Sequence, residues 1–167
     1  MEIQVKAKNI PAIKDAAMKV DRAVRAGALA MGASVEIETI PGYMPLRSNE
    51  TLVKIYEQNL QILHPEAALP NPVHRPSSTD MGDLSHVIPI LHANSRGVEG
   101  KMHSCEFHVA DPVAACVEPA KILAMSVVDL MTMGKIESSY DFMTKKDYIE
   151  NLESFANTRL FNYEEQQ

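Results

Sequence analysis

The 167-residue chain has no tryptophan, and aromatic residues account for only 5% of it. Its 22 acidic residues outnumber its 16 basic ones. Proteins that bind nucleic acids need clustered basic residues, and those that bind single strands add stacked aromatic side chains. The sequence also lacks an apolar run of about 18 residues, which a membrane-spanning helix requires. These absences predict that the chain binds neither nucleic acid nor a membrane.

Cysteine is scarce as well, with only Cys105 and Cys116 present. The first residues alternate between polar and apolar types, whereas a secretory signal carries a continuous apolar core. A disulfide framework needs more cysteines and an oxidising compartment. The sequence therefore predicts reduced thiols and a cytoplasmic location.

The rest of the composition is that of an ordinary globular chain, with 46% hydrophobic and 23% charged residues. Alternation over residues 2–8 predicts a half-buried strand. Helical spacing predicts a helix over residues 10–31, which Asn9 can cap and Gly32 ends. A second strand is predicted at 35–38. This order of strand, helix and strand predicts an α/β (α+β) fold.

The second half predicts further elements of both kinds. Ser48 or Asn49 can open a helix, a strand is predicted at 87–91, and a helix is predicted near Lys145–Phe155. A long helix is predicted over 111–133, with an inward face made of Val113, Val117, Ala120, Ala124, Val127, Val128 and Met131. So few strands are marginal without a partner sheet, so we expect the chain to be part of something larger.

The proline-rich stretch over 65–76 lacks periodicity and predicts a crossing loop or a mobile segment. A polar cluster follows at 77–86, where Asp80 and Asp83 stand among serine and threonine residues. The favoured interpretation is a helix cap with an acid in the first turn. The alternative interpretation is a functional site.

A second cluster, over residues 101–108, contains His103, Cys105, Glu106 and His108. Histidine is the commonest metal ligand, and a carboxylate and a thiol lie nearby. The spacing matches no zinc-finger pattern, and nothing local marks Cys105 as an activated nucleophile. Ordinary surface histidines are commoner than ligands, so both interpretations stay open. The sequence also lacks a glycine-rich phosphate loop and the common serine-hydrolase and zinc-protease motifs.

Several short motifs occur in a recognisable order. They are Gly-Ala-Ser-Val-Glu-Ile at 32–37, Pro-Gly-Tyr-Met-Pro-Leu at 41–46, Ser-Thr-Asp-Met-Gly-Asp-Leu-Ser at 78–85, Val-Ile-Pro at 87–89 and His-Ser-Cys-Glu-Phe at 103–107. A long helix rich in alanine and methionine follows. Over residues 1–134 the chain resembles the C-terminal part of the zinc-dependent aminoacylase/carboxypeptidase-type amidohydrolases, in particular the branch of aminobenzoyl-glutamate hydrolase and dipeptidase-like members.

The resemblance implies a division of the chain and a function. Residues 1–64 would be the rear part of a lid domain, an α/β sandwich that also forms a homodimer, together with the helix that returns to the catalytic domain. Residues 65–167 would be the C-terminal part of that catalytic domain. The implied activity is hydrolysis of amide bonds in small N-acyl amino acids or dipeptides, with Zn²⁺ or another divalent metal as cofactor.

The resemblance also assigns individual residues. His103 matches the last metal-binding histidine of the family. Asp80 and Asp83 fall in the motif that lines the active-site cleft, and Glu106 lies beside the histidine. These three are implied to contact substrate or to orient the metal ligand, and none is implied to be a ligand itself.

The family's remaining ligands form a His-x-Asp pair and a Glu-Glu pair whose first member is the general base. The sequence has no His-x-Asp, and its one Glu-Glu, at 164–165, stands in the polar tail. We therefore expect no catalytic residue in this chain, no tightly bound metal and no hydrolysis by the chain alone. The alternative function is a non-catalytic dimerisation or regulatory module, and a weaker third possibility is a thiol enzyme that uses Cys105.

Overall fold

The computed structural model describes residues 1–67 and 79–163. Most of the proline-rich stretch lies outside the described residues, as do Ser77, Ser78 and the Glu-Glu pair of the tail. Helices and short antiparallel strands both occur, so the predicted mixed α/β fold class is confirmed. In the described part, no helix is long and apolar enough to cross a membrane.

The chain forms two compact units, each discontinuous in sequence. Among the described residues, the first unit contains 1–47, 79–88 and 142–163, and the second contains 48–67 and 89–141. The division at residue 64 refers to the domains of a larger enzyme, and it stays a prediction.

Helix α1 (Ile10–Ala30) begins and ends where the sequence predicts within one residue. The Asn9 side chain accepts a hydrogen bond from the Ala12 amide at 2.9 Å, which caps the first turn. Gly32 adopts a φ of 59°, the left-handed conformation that commonly follows a helix. Strand β1 (Val35–Thr39) comes next, so both predicted elements are confirmed.

In the first unit, β1 pairs antiparallel with β4 (Asn157–Phe161), a strand that the sequence did not predict. Helix α5 (Lys145–Phe155) directly precedes β4 in the sequence and has the predicted bounds. The predicted strand over residues 2–8 is wrong, because this segment forms no strand. Its alternating pattern is suited to a sheet, but within the described part no strand pairs with it, and an unpaired strand is not stable.

The second unit is built on the packing of α2 (Glu50–Leu63) against α4 (Glu118–Met133). Ile55 on α2 and Ile122 on α4 are buried. The Asn59 side-chain amide donates hydrogen bonds to Asp129 Oδ2 at 2.7 Å and to Ser126 Oγ at 3.3 Å. These bonds satisfy polar groups that would otherwise be costly to bury between two helices.

The predicted inward face of the long helix is wrong. One π-helical turn (Val113–Val117) precedes α4, and the large apolar residues assigned to the inward face are 43–81% exposed: Val113, Val117, Val127, Val128 and Met131. Ile122 and Ser126 are buried instead. Apolar residues occur all around this helix, so their spacing does not single out one face. The polar contacts with Asn59 decide which face packs against α2.

Helix α3 (Met81–Leu84) is a single turn, and the strand predicted after it at 87–91 is also wrong. The amides of Val87 and Ile88 both donate to the Leu84 carbonyl at 3.0 Å, which continues the turn. Further along the chain, β2 (Val98–Glu99) and β3 (His108–Val109) form a short hairpin.

Candidate functional site

In the first unit, the loop after β1 lies against α3, so two motifs that the sequence singled out contact each other. Asp83 Oδ1 accepts a hydrogen bond from the Met44 amide at 2.9 Å, and Ser85 Oγ accepts one from the Arg47 amide at 3.0 Å. Gly82 packs directly on the Met44 carbonyl, where a Cβ atom would overlap the oxygen. The two motifs therefore form one structural element.

Both candidate aspartates of this element have structural contacts. Asp80 caps α3, and its Oδ1 accepts hydrogen bonds from the Met81 amide at 2.9 Å and the Thr79 hydroxyl at 3.1 Å. Burial, together with the Asp83 charge and a hydrogen bond to the Asp83 carboxylate, raises the pKa of Tyr148 on α5. The capping interpretation is confirmed, while a role for either aspartate in substrate binding stays a prediction.

His86 belongs to the same element, although no sequence motif marks it as a site residue. Its ring is buried, with Nε2 lying 3.0 Å from the Pro45 carbonyl and Nδ1 lying 3.3 Å from an Arg47 guanidinium nitrogen. A carbonyl only accepts and a guanidinium only donates, so Nε2 carries the proton and Nδ1 accepts. The ring is therefore neutral. Burial lowers its pKa, and the Arg47 charge lowers it further, against the Pro45 bond and the Asp83 charge.

We expect the first unit to lose stability as the pH falls below about 6.5, the ordinary pKa of histidine. The lowered pKa of His86 means that the unfolded chain takes up this proton first. The stabilisation is complete above the ordinary value of 6.5 and is lost as the pH falls through the lowered pKa. Thermal unfolding, followed by circular dichroism at each pH, measures this loss of stability. The His86→Gln variant should show a weaker dependence of stability on pH, whereas His92→Gln, at an exposed histidine, should show the same dependence as the wild type. An equal dependence in both variants would show that His86 is not its cause.

In the second unit, His103 lies in the loop that joins β2 to β3. Its φ of 64° makes it the one non-glycine residue with a positive φ in the described part of the chain. The turn is closed by Ser104, whose amide and hydroxyl both donate to the Lys101 carbonyl, at 3.0 Å and 2.7 Å. The His103 side chain is exposed. The loop therefore presents this imidazole to its surroundings on a strained backbone.

Glu106 and Cys105 occupy the same loop and are exposed. The Glu106 carbonyl lies 2.7 Å from His108 Nδ1, which fixes that ring against the backbone. Cys105 and Cys116 are unbridged in the structure, and their reduced state stays a prediction. No contact in the described residues couples Cys105 to an imidazole, so the structure adds no support for a thiol nucleophile.

The structure brings the candidate residues together in pairs. Asp80 and Asp83 share α3 in the first unit, and His103 and Glu106 share the hairpin loop in the second. Within residues 1–67 and 79–163, no group of three or more histidine, cysteine, aspartate or glutamate side chains could hold a metal ion. A zinc site needs about four ligands, so the described residues do not fit a complete zinc site.

The second unit contains another polar cluster that sequence reasoning missed. His64 Nε2 lies 3.2 Å from Glu118 Oε2, and an Arg96 guanidinium nitrogen lies 3.3 Å from the same oxygen. These residues are far apart in sequence and share no motif, so only the packing of α2 against α4 reveals the cluster.

Comparison with known proteins gives no relative for this arrangement. No protein family model matches the chain, and neither curated proteins nor solved structures show a significant match.

Proposed function

We propose that this chain is the C-terminal part of a metal-dependent amidohydrolase that cleaves amide bonds of small N-acyl amino acids or dipeptides. The zinc ligands and the general base that it lacks would come from a separate polypeptide region. Support comes from the ordered motifs and from the contact between two of them at α3. Because the sequence has no His-x-Asp pair and its one Glu-Glu pair stands in the tail, we expect the chain alone to be inactive.

The conformation of His103 is the observation that carries this proposal. The left-handed region costs a non-glycine residue roughly 1–2 kcal/mol, and such strain is found preferentially where function requires it. His103 is the third residue of the turn that the Ser104 amide closes on the Lys101 carbonyl, a position where a positive φ favours glycine or asparagine. Its exposed ring makes no hydrogen bond within the described part of the chain. Both features are expected if His103 is a ligand of a metal ion whose other ligands belong to a separate polypeptide region.

A complementation assay tests the proposal. The chain is mixed with the N-terminal part of an aminoacylase-type enzyme that carries the His-x-Asp and Glu-Glu pairs, and hydrolysis of N-acyl amino acids is followed with added Zn²⁺. We expect no turnover by the chain alone and measurable turnover by the mixture. His103→Ala should abolish it, and Glu106→Ala should only reduce it. His92→Ala, at another exposed histidine of the second unit, should leave it unchanged.

Either of two results would contradict the proposal. One is turnover by the chain alone. The other is equal turnover by the His103→Ala and wild-type mixtures, since His103 would then have no part in the site.

An alternative proposal is a non-catalytic dimerisation or regulatory module. The open edge of the sheet in the first unit favours it, since exposed edges pair with other chains. Size-exclusion chromatography distinguishes the two: a metal-free dimer with no activity in any mixture supports the module. For either function we propose a cytoplasmic location, which the two unbridged cysteines support.

A further inference from the structure

The first unit contains an open apolar groove. A cavity of about 340 Å³ is lined by α1, β1, α5 and the first residues of the chain. No residue of α1 is fully buried, although Ile13, Val20 and Val24 all line this cavity. The apolar stripe of a helix normally packs against another layer. The groove therefore leaves part of the apolar face of α1 without a packing layer among the described residues.

One edge of β1 is available beside this groove. Within the described residues β1 pairs with β4 alone, so its other edge presents unpaired backbone N–H and C=O groups. All five residues of β1 line the cavity; Val35, Ile37 and Thr39 are half-buried, whereas Glu36 and Glu38 alternate with them and are exposed. A free edge of this kind is a template for an additional strand.

The charged side chains that line the groove are acidic. Asp21, Glu36 and Glu38 line it, and among the described residues no lysine, arginine or histidine does. Asp21 forms an ion pair with Arg159, but neither glutamate has an ion-pair partner in the described part of the chain. Their cross-strand neighbours on β4 are Leu160 and Thr158, which carry no charge. Among the described residues, no cation therefore pairs with Glu36 or Glu38.

We propose that the free edge of β1 and the groove bind an extended strand of a partner protein in which apolar residues alternate with lysine or arginine. The strand's backbone pairs with β1. Its apolar side chains fill the groove over α1, and its basic side chains lie beside Glu36 and Glu38, where opposite charges stabilise a strand pair. This interaction requires no metal and is independent of the amidohydrolase proposal.

Fluorescence anisotropy of a labelled octapeptide in which valine alternates with lysine tests the proposal on the full chain. We expect saturable binding, and much weaker binding of a peptide with the same residues in two blocks. The double variant Glu36→Lys, Glu38→Lys should weaken binding about tenfold, with a smaller difference at high salt. The control variant Glu99→Lys, Glu153→Lys changes the net charge equally at exposed sites outside the groove, and it should bind like the wild type.

A peptide with N-methyl groups on alternate amides separates strand pairing from adhesion of an amphiphile, since it keeps the side chains but cannot pair with β1. It should not bind, and equal binding of the methylated and unmethylated peptides would overturn the proposal. So would binding that the Glu36→Lys, Glu38→Lys variant leaves unchanged. A stable dimer that the alternating peptide cannot displace would show instead that a second copy of the chain fills the groove.

Discussion

Gly82→Ala is expected to lower the free energy of unfolding of the first unit by about 3 kcal/mol, the upper end of the range for overpacked sites. A Cβ atom at this position would overlap the Met44 carbonyl oxygen, which is backbone and cannot rotate away. The loop would have to leave α3, and its hydrogen bonds to Asp83 and Ser85 would be lost. Urea unfolding followed by circular dichroism measures the change.

Two other glycines provide matched controls for this substitution. A Cβ atom at Gly27 or Gly42 would meet nothing within 4 Å. Gly27 lies inside α1, so Gly27→Ala should raise the stability by about 0.5–1 kcal/mol. Gly42→Ala should change little. If Gly82→Ala unfolds at the same urea concentration as Gly42→Ala, the close packing of the loop on α3 is wrong.

Asn49→Ala is expected to cost about 2–3 kcal/mol, since it removes a helix cap and leaves buried polar groups unsatisfied. Asn49 is 1% exposed. Its Oδ1 accepts a hydrogen bond from the Leu52 amide at 3.1 Å, and its side-chain amide donates to the Glu137 carbonyl at 2.9 Å. The side chain thus caps α2 and fixes the segment after α4 to its N-terminus.

Asn9→Ala is the matched control, because Asn9 caps α1 in the same way but is exposed. It should cost only about 1 kcal/mol, the usual value for a lost cap. Urea unfolding of the two variants gives the comparison. Equal losses would show that the bond from Asn49 to Glu137 contributes nothing beyond the cap.

The helices were predictable because their signals are local. Asn9 and Gly32 mark the ends of α1 within a few residues of the backbone groups that they satisfy. The start of α5 follows the same logic: Thr144 and Asp147 form a reciprocal capping box, and hydrogen bonds from Thr144 lower the pKa of Asp147. Such contacts depend on sequence spacing alone.

The strands and the orientation of α4 depend on distant residues, and there the sequence predictions were wrong. Residues 2–8 have a strand pattern without a partner, whereas β4 has a weaker pattern and pairs with β1. The buried face of α4 is chosen by Asn59, which contacts Ser126 and Asp129 from another helix. Hydrophobic periodicity shows which residues could be buried, and the elements that pack against the helix or strand determine which residues are buried.

The candidate site, too, was predictable from the sequence only in part. The polar cluster at α3 was visible in the sequence, and its capping role followed from residue type. Its contact with the loop after β1, and the buried ring of His86, required the fold. His103 was selected by resemblance, and its left-handed backbone could not be read from the sequence.

The zinc content of the purified mixture with the complementing polypeptide tests the central claim most directly. Inductively coupled plasma mass spectrometry should find no retained zinc in the chain alone and zinc in the wild-type complex, because one imidazole cannot hold the ion by itself. The complex of the His103→Ala variant should retain less zinc than that of His92→Ala. Equal zinc in these two complexes would show that His103 is not a metal ligand, and the account would be wrong.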